Sequence, residues 1–191
     1  MSFDDFFKDG LGTFEHGGVT LRAPRDDDAQ AIFELYEDRE AVRFGFSPPM
    51  ASLDDARALI EQIRKLAQNK TIFHFCAALS GEDRVIGHAT LFAVQRESRR
   101  AEVGYSALRS RWGRGLGTRI VGALIHLAFG PLDLLRLEAD VDPRNAASLR
   151  VLEKHGFLRE GYARERWVQQ GELADGVLLA LLRREWAAHP K

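Results

Sequence analysis

The stretch RWGRGLGTRI, residues 111–120, places glycines at 113, 115 and 117 where the apolar run IVGALIHLAF begins, and that run has the pattern of a helix. Glycine inside a helix costs roughly 0.5–1 kcal/mol relative to alanine, so three of them at a helix start need a reason. The first N–H groups of a helix have no partner within it, and glycines let an anion come close to them and to the helix dipole. The stretch therefore indicates a phosphate site, with a tightly packed strand-to-helix turn as the structural alternative.

Two common phosphate-binding motifs do not fit this loop. A dinucleotide-binding GxGxxG motif would need glycine where Thr118 stands, and it belongs after the first strand, whereas this loop follows about the fourth. A Walker A loop needs GxxxxGK followed by Ser or Thr, and the sequence contains no such run. Neither motif therefore identifies which phosphate-bearing ligand the loop binds.

The elements around the loop predict an α/β fold with one mixed sheet of about seven strands flanked by helices. The pattern predicts strands at 19–23, 72–79, 84–94, 99–108, 134–141, 157–168 and 173–182. Helices are predicted after Asp26, from Ser52 to about Gln68, and at about 114–129 and 145–155. Short turns join the early strands into an antiparallel meander, and a strand–helix–strand crossover then requires a parallel pair. The glycine loop lies at this change of connectivity, where ligands bind in open sheets.

A second segment, DPRNAASLRVLEKHGFLREG at 142–161, leads from the strand at 134–141 into the next helix. Its Asn145 and Ser148 are three residues apart, which places both side chains on one helical face. That face lies near the end of the neighbouring strand, so it can meet the same ligand as the glycine loop. The alternative is structural, with Asn145 as an ordinary N-cap and Ser148 as a surface serine.

Composition bounds the class of protein. With 191 residues, 45% apolar, 29% charged and a net charge of −1, the chain is expected to form a globular domain at 19–186 after an N-terminal segment at 1–18. Scattered Arg and Lys argue against a nucleic-acid partner, and no apolar run suits a membrane. The single cysteine, Cys76, allows no internal disulfide and no zinc motif, so we expect a cytoplasmic protein without a metal. The phenylalanines of the N-terminal segment either dock on the domain or a second subunit, which makes a homodimer plausible, or belong to a frayed tail; they are Phe3, Phe6, Phe7 and Phe14.

The segments AEVGYSAL, RWGRGLGTRIVGALI and RLEADVDPRNAASLRVLEKHGFLREG together resemble the GCN5-related N-acetyltransferase (GNAT) superfamily, in its ribosomal-protein alanine acetyltransferase-like branch. The resemblance covers about 19–186. It implies a sheet splayed between the strands 99–108 and 134–141, and acetyl-CoA as cosubstrate. The implied contacts with the pyrophosphate are the N–H groups of Gly113, Arg114, Gly115, Leu116, Gly117 and Thr118. The pantetheine arm would pair with the strand edge at Ser106, Ala107 and Leu108, and Asn145 and Ser148 would meet it further along.

Three details of this resemblance concern the loop. A Cβ at 115 or 117 would hold the diphosphate off. Trp112 stands where the superfamily commonly has Gln or Arg, an aromatic replacement usual in this branch, whereas Arg109 replaces a common proline and leaves the register of the pantetheine arm open. Arg114 either adds charge beside the diphosphate or points into solvent.

The implied reaction transfers acetyl to a primary amine by direct attack in a ternary complex. Ser148 is the candidate to hydrogen-bond or protonate the departing sulfur, and an N–H near Ala107 or Leu108 the oxyanion donor. Glu102 and Glu138 are alternative general bases.

Other polar groups of the strands are interpreted as structural. His74 and His88 have the pattern of satisfied strand histidines, and Cys76 lacks the partners of a nucleophile.

The favoured acceptor is a protein N-terminal α-amine. The alternatives are a small-molecule amine, such as an antibiotic, polyamine or amino acid, and a non-catalytic acyl-CoA-binding module. We expect the helices and the loop FGFSPPM at 44–50 to build the acceptor pocket, with the hairpin at 164–172 opposite them.

Overall fold

The computed structural model describes residues 6, 11–45, 47–68 and 71–188. Its sheet has the strand order β1-β2-β3-β4-β5-β6-β8-β7. The strands are β1 Phe14–His16, β2 Val19–Arg22, β3 Phe73–Leu79, β4 Val85–Gln95, β5 Arg100–Ala107, β6 Arg136–Val141, β7 Leu158–Gln169 and β8 Glu172–Leu182. Neighbouring strands pair antiparallel except β5 and β6, which run parallel. The predicted mixed sheet is confirmed, with eight strands in place of about seven because β1 pairs with β2.

Helices cover both faces of this sheet. They are α1 Ala29–Tyr36, α2 Leu53–Gln68, α3 Leu116–Phe129, α4 Ala146–Lys154 and α5 Arg183–Ala188, with short 3-10 turns at Asp26–Asp28 and Arg109–Arg111. The larger core lies between the sheet and the α3–α4 pair, and α3 is buried along most of its length. A smaller core packs α1 and α2 on the opposite face over β3 and β4. On that second face, which we call the open face, the side chains of β5 and β6 stay partly exposed.

The parallel pair β5–β6 is joined over only part of its length. Its ladder runs from Arg100 opposite Arg136 to Glu102 opposite Glu138, although β5 continues to Ala107 and β6 to Val141. The strands therefore separate beyond the two glutamates, and the predicted splay is present. In the gap, backbone groups of β5 that point towards β6 have no ladder partner.

The N-terminal segment contributes to the domain. Phe6 is buried and packs against Phe75, with ring centroids 6.4 Å apart, and Phe14 lies partly buried on the same core. The predicted docking is thus seen for these two rings, whereas Phe3 and Phe7 lie outside the described residues. The homodimer and the division at residue 18 stay predictions.

Candidate active site

The glycine loop is shaped by two residues in the left-handed region. Gly115 is the N-cap of α3 with φ 72°, and Gly113 has φ 74°. A Cβ at either position would meet no atom within 4 Å, so within the chain itself these glycines are required by backbone conformation and not by space. At Gly117 the φ is ordinary, and a Cβ would lie 3.4 Å from Cε2 of Tyr105, a normal contact.

The backbone N–H groups of this loop are unused. Among the described residues, none of the N–H groups of residues 113–118 donates to a protein acceptor, and the series of helical bonds starts with the Arg119 N–H donating to the Gly115 carbonyl at 3.1 Å. The loop is exposed from Trp112 to Gly115. The indole N–H of Trp112 donates to the carbonyl of Ala107 at 2.8 Å and so fixes the loop to the end of β5. Successive free N–H groups at the positive end of a long helix form an anion site.

The gap between β5 and β6 begins beside this loop. Leu108 donates its N–H to the carbonyl of Ile86 on the β4 side, at 2.9 Å. Since the groups of an antiparallel strand alternate, the backbone groups of Ser106 also face β4, whereas those of Tyr105 and Ala107 face the gap. The Leu108 N–H is therefore excluded as an oxyanion donor, and the Ala107 N–H remains for that task.

Ser148 receives a hydrogen bond that the sequence did not predict. The hydroxyl of Tyr105 donates to Oγ of Ser148 at 3.1 Å, which leaves the proton of Ser148 free to be donated elsewhere. Burial raises the pKa of Tyr105 to about 12, so this donor keeps its proton at neutral pH. Alternation along β5 could have revealed it, because Tyr105 lies on the α4 side of the sheet while Glu102 and Ser106 lie on the other.

Asn145 has the structural role that the sequence left open. It is the N-cap of α4, and its Oδ1 accepts the N–H of Ser148 at 3.1 Å. The cap fixes the first turn of α4, and with it the backbone that carries Ser148. A contact of Asn145 with a ligand stays a prediction.

The two candidate bases differ in their surroundings. Glu138 is ion-paired with Arg100 and, at 2.8 Å, with Arg136. Glu102 is partly exposed and accepts no hydrogen bond from a described residue. Its pKa is raised, first by burial and then by the charges of Glu138 and Asp140. A carboxylate that is unpaired and has a raised pKa is the better proton acceptor, so the structure favours Glu102.

The strand histidines and Cys76 are structural, as the sequence predicted. His88 Nδ1 lies 3.0 Å from the hydroxyl of Tyr36, and His74 Nδ1 lies 3.0 Å from that of Thr90. Burial lowers the pKa of His88 to about 3, so its ring is neutral. The Cys76 thiol is buried, and burial raises its pKa to about 12, which removes the thiolate that a nucleophile needs.

The segment of residues 38–44, which we call the strap, joins the residues that follow β5 to the β7–β8 hairpin through side-chain hydrogen bonds. Arg109 donates to both carboxylate oxygens of Asp38, at 2.9 and 3.1 Å. At the other end, Gln169 and Gln170 of the β7–β8 hairpin donate to backbone carbonyls of the strap, at 3.3 and 2.8 Å. Of the predicted loop at 44–50, Phe44 takes part in these bonds through its carbonyl, whereas Phe46 lies outside the described residues. The lining of an acceptor pocket stays a prediction.

The described residues lack two other kinds of feature. No group of three or more His, Cys, Asp or Glu side chains in them is placed to hold a metal ion. No helix among them is long and apolar enough to cross a membrane.

Comparisons with known proteins agree with this geometry. The family model described as "Acetyltransferase (GNAT) domain" matches residues 19–158. The chain is 32% identical to "Uncharacterized N-acetyltransferase p20" of Bacillus licheniformis, over 88% of this chain and 95% of that one. It is 31% identical to "Putative ribosomal N-acetyltransferase YdaF" of Bacillus subtilis, over 88% and 93%.

Acceptors of both kinds occur in the names of similar proteins. "Aminoglycoside N(6')-acetyltransferase type 1" of Klebsiella pneumoniae is 26% identical over 81% of each chain. Among solved structures, Mycobacterium smegmatis RimJ in complex with CoA-disulfide superposes with a TM-score of 0.78 at 25% identity, covering 94% of this chain and 88% of that one. The chain belongs to the GNAT family of acetyltransferases.

Proposed function

We propose that this acetyltransferase moves the acetyl group of acetyl-CoA to the α-amine of a protein N-terminus. The observation that carries the proposal is the row of unused N–H groups at 113–118, which opens directly onto the gap between β5 and β6. The N–H groups suit a diphosphate. On the gap side of β5, the backbone groups of Tyr105 and the N–H of Ala107 have no ladder partner, whereas the Ala107 carbonyl accepts the Trp112 indole N–H. Such an edge suits the amides of a pantetheine arm, which can pair like an added strand. The residues present therefore fit the diphosphate and the pantetheine arm of CoA.

The residues at the gap divide the chemistry among them. Acetyl-CoA supplies the activated thioester, whose carbonyl carbon the amine nitrogen attacks as the carbon–sulfur bond breaks. Glu102 accepts the proton that the amine loses, directly or through water. The Ala107 N–H stabilises the charge on the carbonyl oxygen, and Ser148, backed by Tyr105, donates a hydrogen bond to the departing sulfur. Holding both reactants in one cleft supplies several kcal/mol of the barrier.

The α-amine is favoured over a small amine by two comparisons. The YdaF relative carries the name of a putative ribosomal N-acetyltransferase, and RimJ shares the fold. The aminoglycoside acetyltransferase supports the second candidate, a small-molecule amine.

The cosubstrate is tested by thermal unfolding of the protein alone and with acetyl-CoA, CoA, NAD or ATP. A ligand at 100 times its Kd stabilises by about 2.7 kcal/mol, which raises the Tm of a protein of this size by roughly 5–10 °C. We expect that shift with acetyl-CoA and CoA only. No shift with either, or a shift with NAD or ATP in its place, overturns the proposal.

The acceptor is tested by thiol release from acetyl-CoA. The substrates are an alanine-initiated peptide, the same peptide with a blocked N-terminus, spermidine and an aminoglycoside. Release with the free peptide alone supports an α-amine acceptor, and release with a small amine alone favours the second candidate. Stabilisation by CoA without release from any of them identifies an acyl-CoA-binding module.

A further inference from the structure

Asp140 is a buried carboxylate, and one of its two oxygens has no hydrogen-bond partner among the described residues. It lies on the open face of β6, two residues beyond Glu138, where the strands have separated. Its side chain is 8% exposed. Oδ2 accepts a hydrogen bond from Nε of Arg166 at 2.9 Å, whereas Oδ1 is buried without a partner among the described residues. A buried acceptor left unsatisfied is costly and needs an explanation.

A bulge in the hairpin brings Arg166 to this carboxylate. The register of β7 against β8 shifts between Ala163 and Trp167, and Glu165 within the bulge has φ 49°. Asp175 holds the bulge by accepting the N–H of Glu165 at 2.7 Å. The guanidinium lies over the ring of Trp167, 4.9 Å from its centroid. Arg166 thus reaches from β7 across β8 to Asp140 on β6, and its side chain remains about half exposed.

The neighbouring strand makes space for the carboxylate. Gly176 of β8 lies beside Asp140, and a Cβ at that position would collide with Oδ1. On the same face, Glu102 lacks an ion pair while Glu138 has two. Beside the doubly paired Glu138, the open face therefore carries two further carboxylates, Glu102 without an ion pair among the described residues and Asp140 paired with the half-exposed Arg166.

We propose that the ammonium group of the acceptor replaces the Arg166 guanidinium on Asp140, so that Arg166 is an internal stand-in for the substrate. The inference rests on the proposed function, since it names the residue that recognises the amine. A guanidinium and an ammonium both offer charged N–H donors to a carboxylate. Because the Asp140 carboxylate is buried, removing Arg166 without a replacement cation costs much. A cationic acceptor that takes the place of Arg166 keeps the carboxylate paired, and Glu102 then accepts the proton that the ammonium group loses.

The test is calorimetric binding of an alanine-initiated peptide to the protein saturated with CoA, which binds without turnover. We expect Asp140→Asn to weaken peptide binding by about tenfold and Arg166→Gln to strengthen it severalfold, because the competing cation is gone. Arg164→Gln is the matched control, as it removes the same charge from an exposed position of the same bulge. CoA affinity should be equal in all variants.

A second variant shows whether weak binding by Asp140→Asn reflects lost recognition of the peptide or a folding defect. Gly176→Ala keeps the carboxylate but displaces it, and it should also weaken peptide binding. The inference is wrong if Asp140→Asn and Gly176→Ala bind the peptide as the wild type does, or if Arg166→Gln weakens binding as Asp140→Asn does. If the wild type binds CoA but not the peptide, the proposed α-amine acceptor fails and the inference fails with it. If the wild type binds the peptide and the variants do not differ, the inference alone fails.

Discussion

Two single-methyl substitutions in the glycine loop should change folding stability in opposite directions while both weaken CoA binding. Gly115 has φ 72° and open space around its Cα, so Gly115→Ala meets no clash and costs only backbone strain. Gly117 lies in the first turn of α3, where a Cβ would make an ordinary contact with Tyr105 at 3.4 Å. The stabilities of the two variants therefore show whether the fold needs glycine at each position for its backbone conformation or for the space that a side chain would fill.

The magnitudes follow from these positions. A residue with a Cβ in the left-handed region costs roughly 1–2 kcal/mol, which lowers the Tm of a chain of this length by about 2–8 °C. Alanine for glycine in a helix gains about 0.5–1 kcal/mol, so Gly117→Ala should raise the Tm slightly. Each variant disturbs at least one N–H bond to the diphosphate. A hydrogen bond to a charged group contributes about 1.5–3 kcal/mol, so the Kd for CoA should rise about tenfold or more.

The assay is thermal unfolding with and without CoA, followed by calorimetric titration of CoA. Gly81→Ala is the matched control for Gly115→Ala, because Gly81 also has a positive φ, 83°, with no atom near its Cβ, but lies in the turn between β3 and β4. It should lose the same stability and keep its CoA affinity. Wild-type CoA affinity in Gly117→Ala would refute the reasoning, since the diphosphate could not then lie against that backbone.

Three further predictions concern individual side chains. Glu102→Gln should lower kcat/KM for the amine by a factor of about 10²–10⁴. In the wild type, kcat/KM should fall as the pH drops through the pKa of Glu102, which is raised above the ordinary 4.5, because protonation removes the base; if Glu102→Gln shows the same fall at low pH, the base is another group. Tyr105→Phe should lower kcat about two- to tenfold with CoA affinity unchanged, the share of one neutral hydrogen bond to Ser148, and an unchanged kcat would remove Tyr105 from the mechanism. Cys76 should resist a thiol reagent at pH 8 in the folded protein and react after denaturation, as its burial and pKa of about 12 require; rapid labelling of the native chain would contradict this.

The parts of the fold that sequence predicted are those set by local patterns. Alternation along β3 to β5 and the apolar face of α3 give their elements within a few residues. Helix α3 begins at Leu116 because Gly115, its N-cap, has a left-handed backbone conformation that cannot form part of a right-handed helix. Strand β1 escaped prediction because three residues, Phe14–His16, are too short to show a period.

The site was predictable where one segment supplies it and hidden where distant segments meet. The loop at 113–118 and Ser148 follow from contiguous motifs, and Glu102 follows from alternation on β5. The proposal of Glu102 over Glu138 as the base depends on the ion pairs of Glu138 with Arg100 and Arg136, which only the fold reveals.

The pairing of Asp140 with Arg166 depends on a bulge that forms because Asp175 accepts a backbone N–H ten residues away in sequence. Alternation in the sequence does not predict such a bulge, in which the three residues 164–166 lie opposite the single residue Asp175. Recognition of the amine, the step that distinguishes one acetyltransferase from another, thus rests on the part of the chain where local sequence says least. On this proposal, comparing related proteins at the equivalents of Asp140 on β6 and of Arg166 and Gly176 in the hairpin should separate acceptor classes better than comparing their glycine loops.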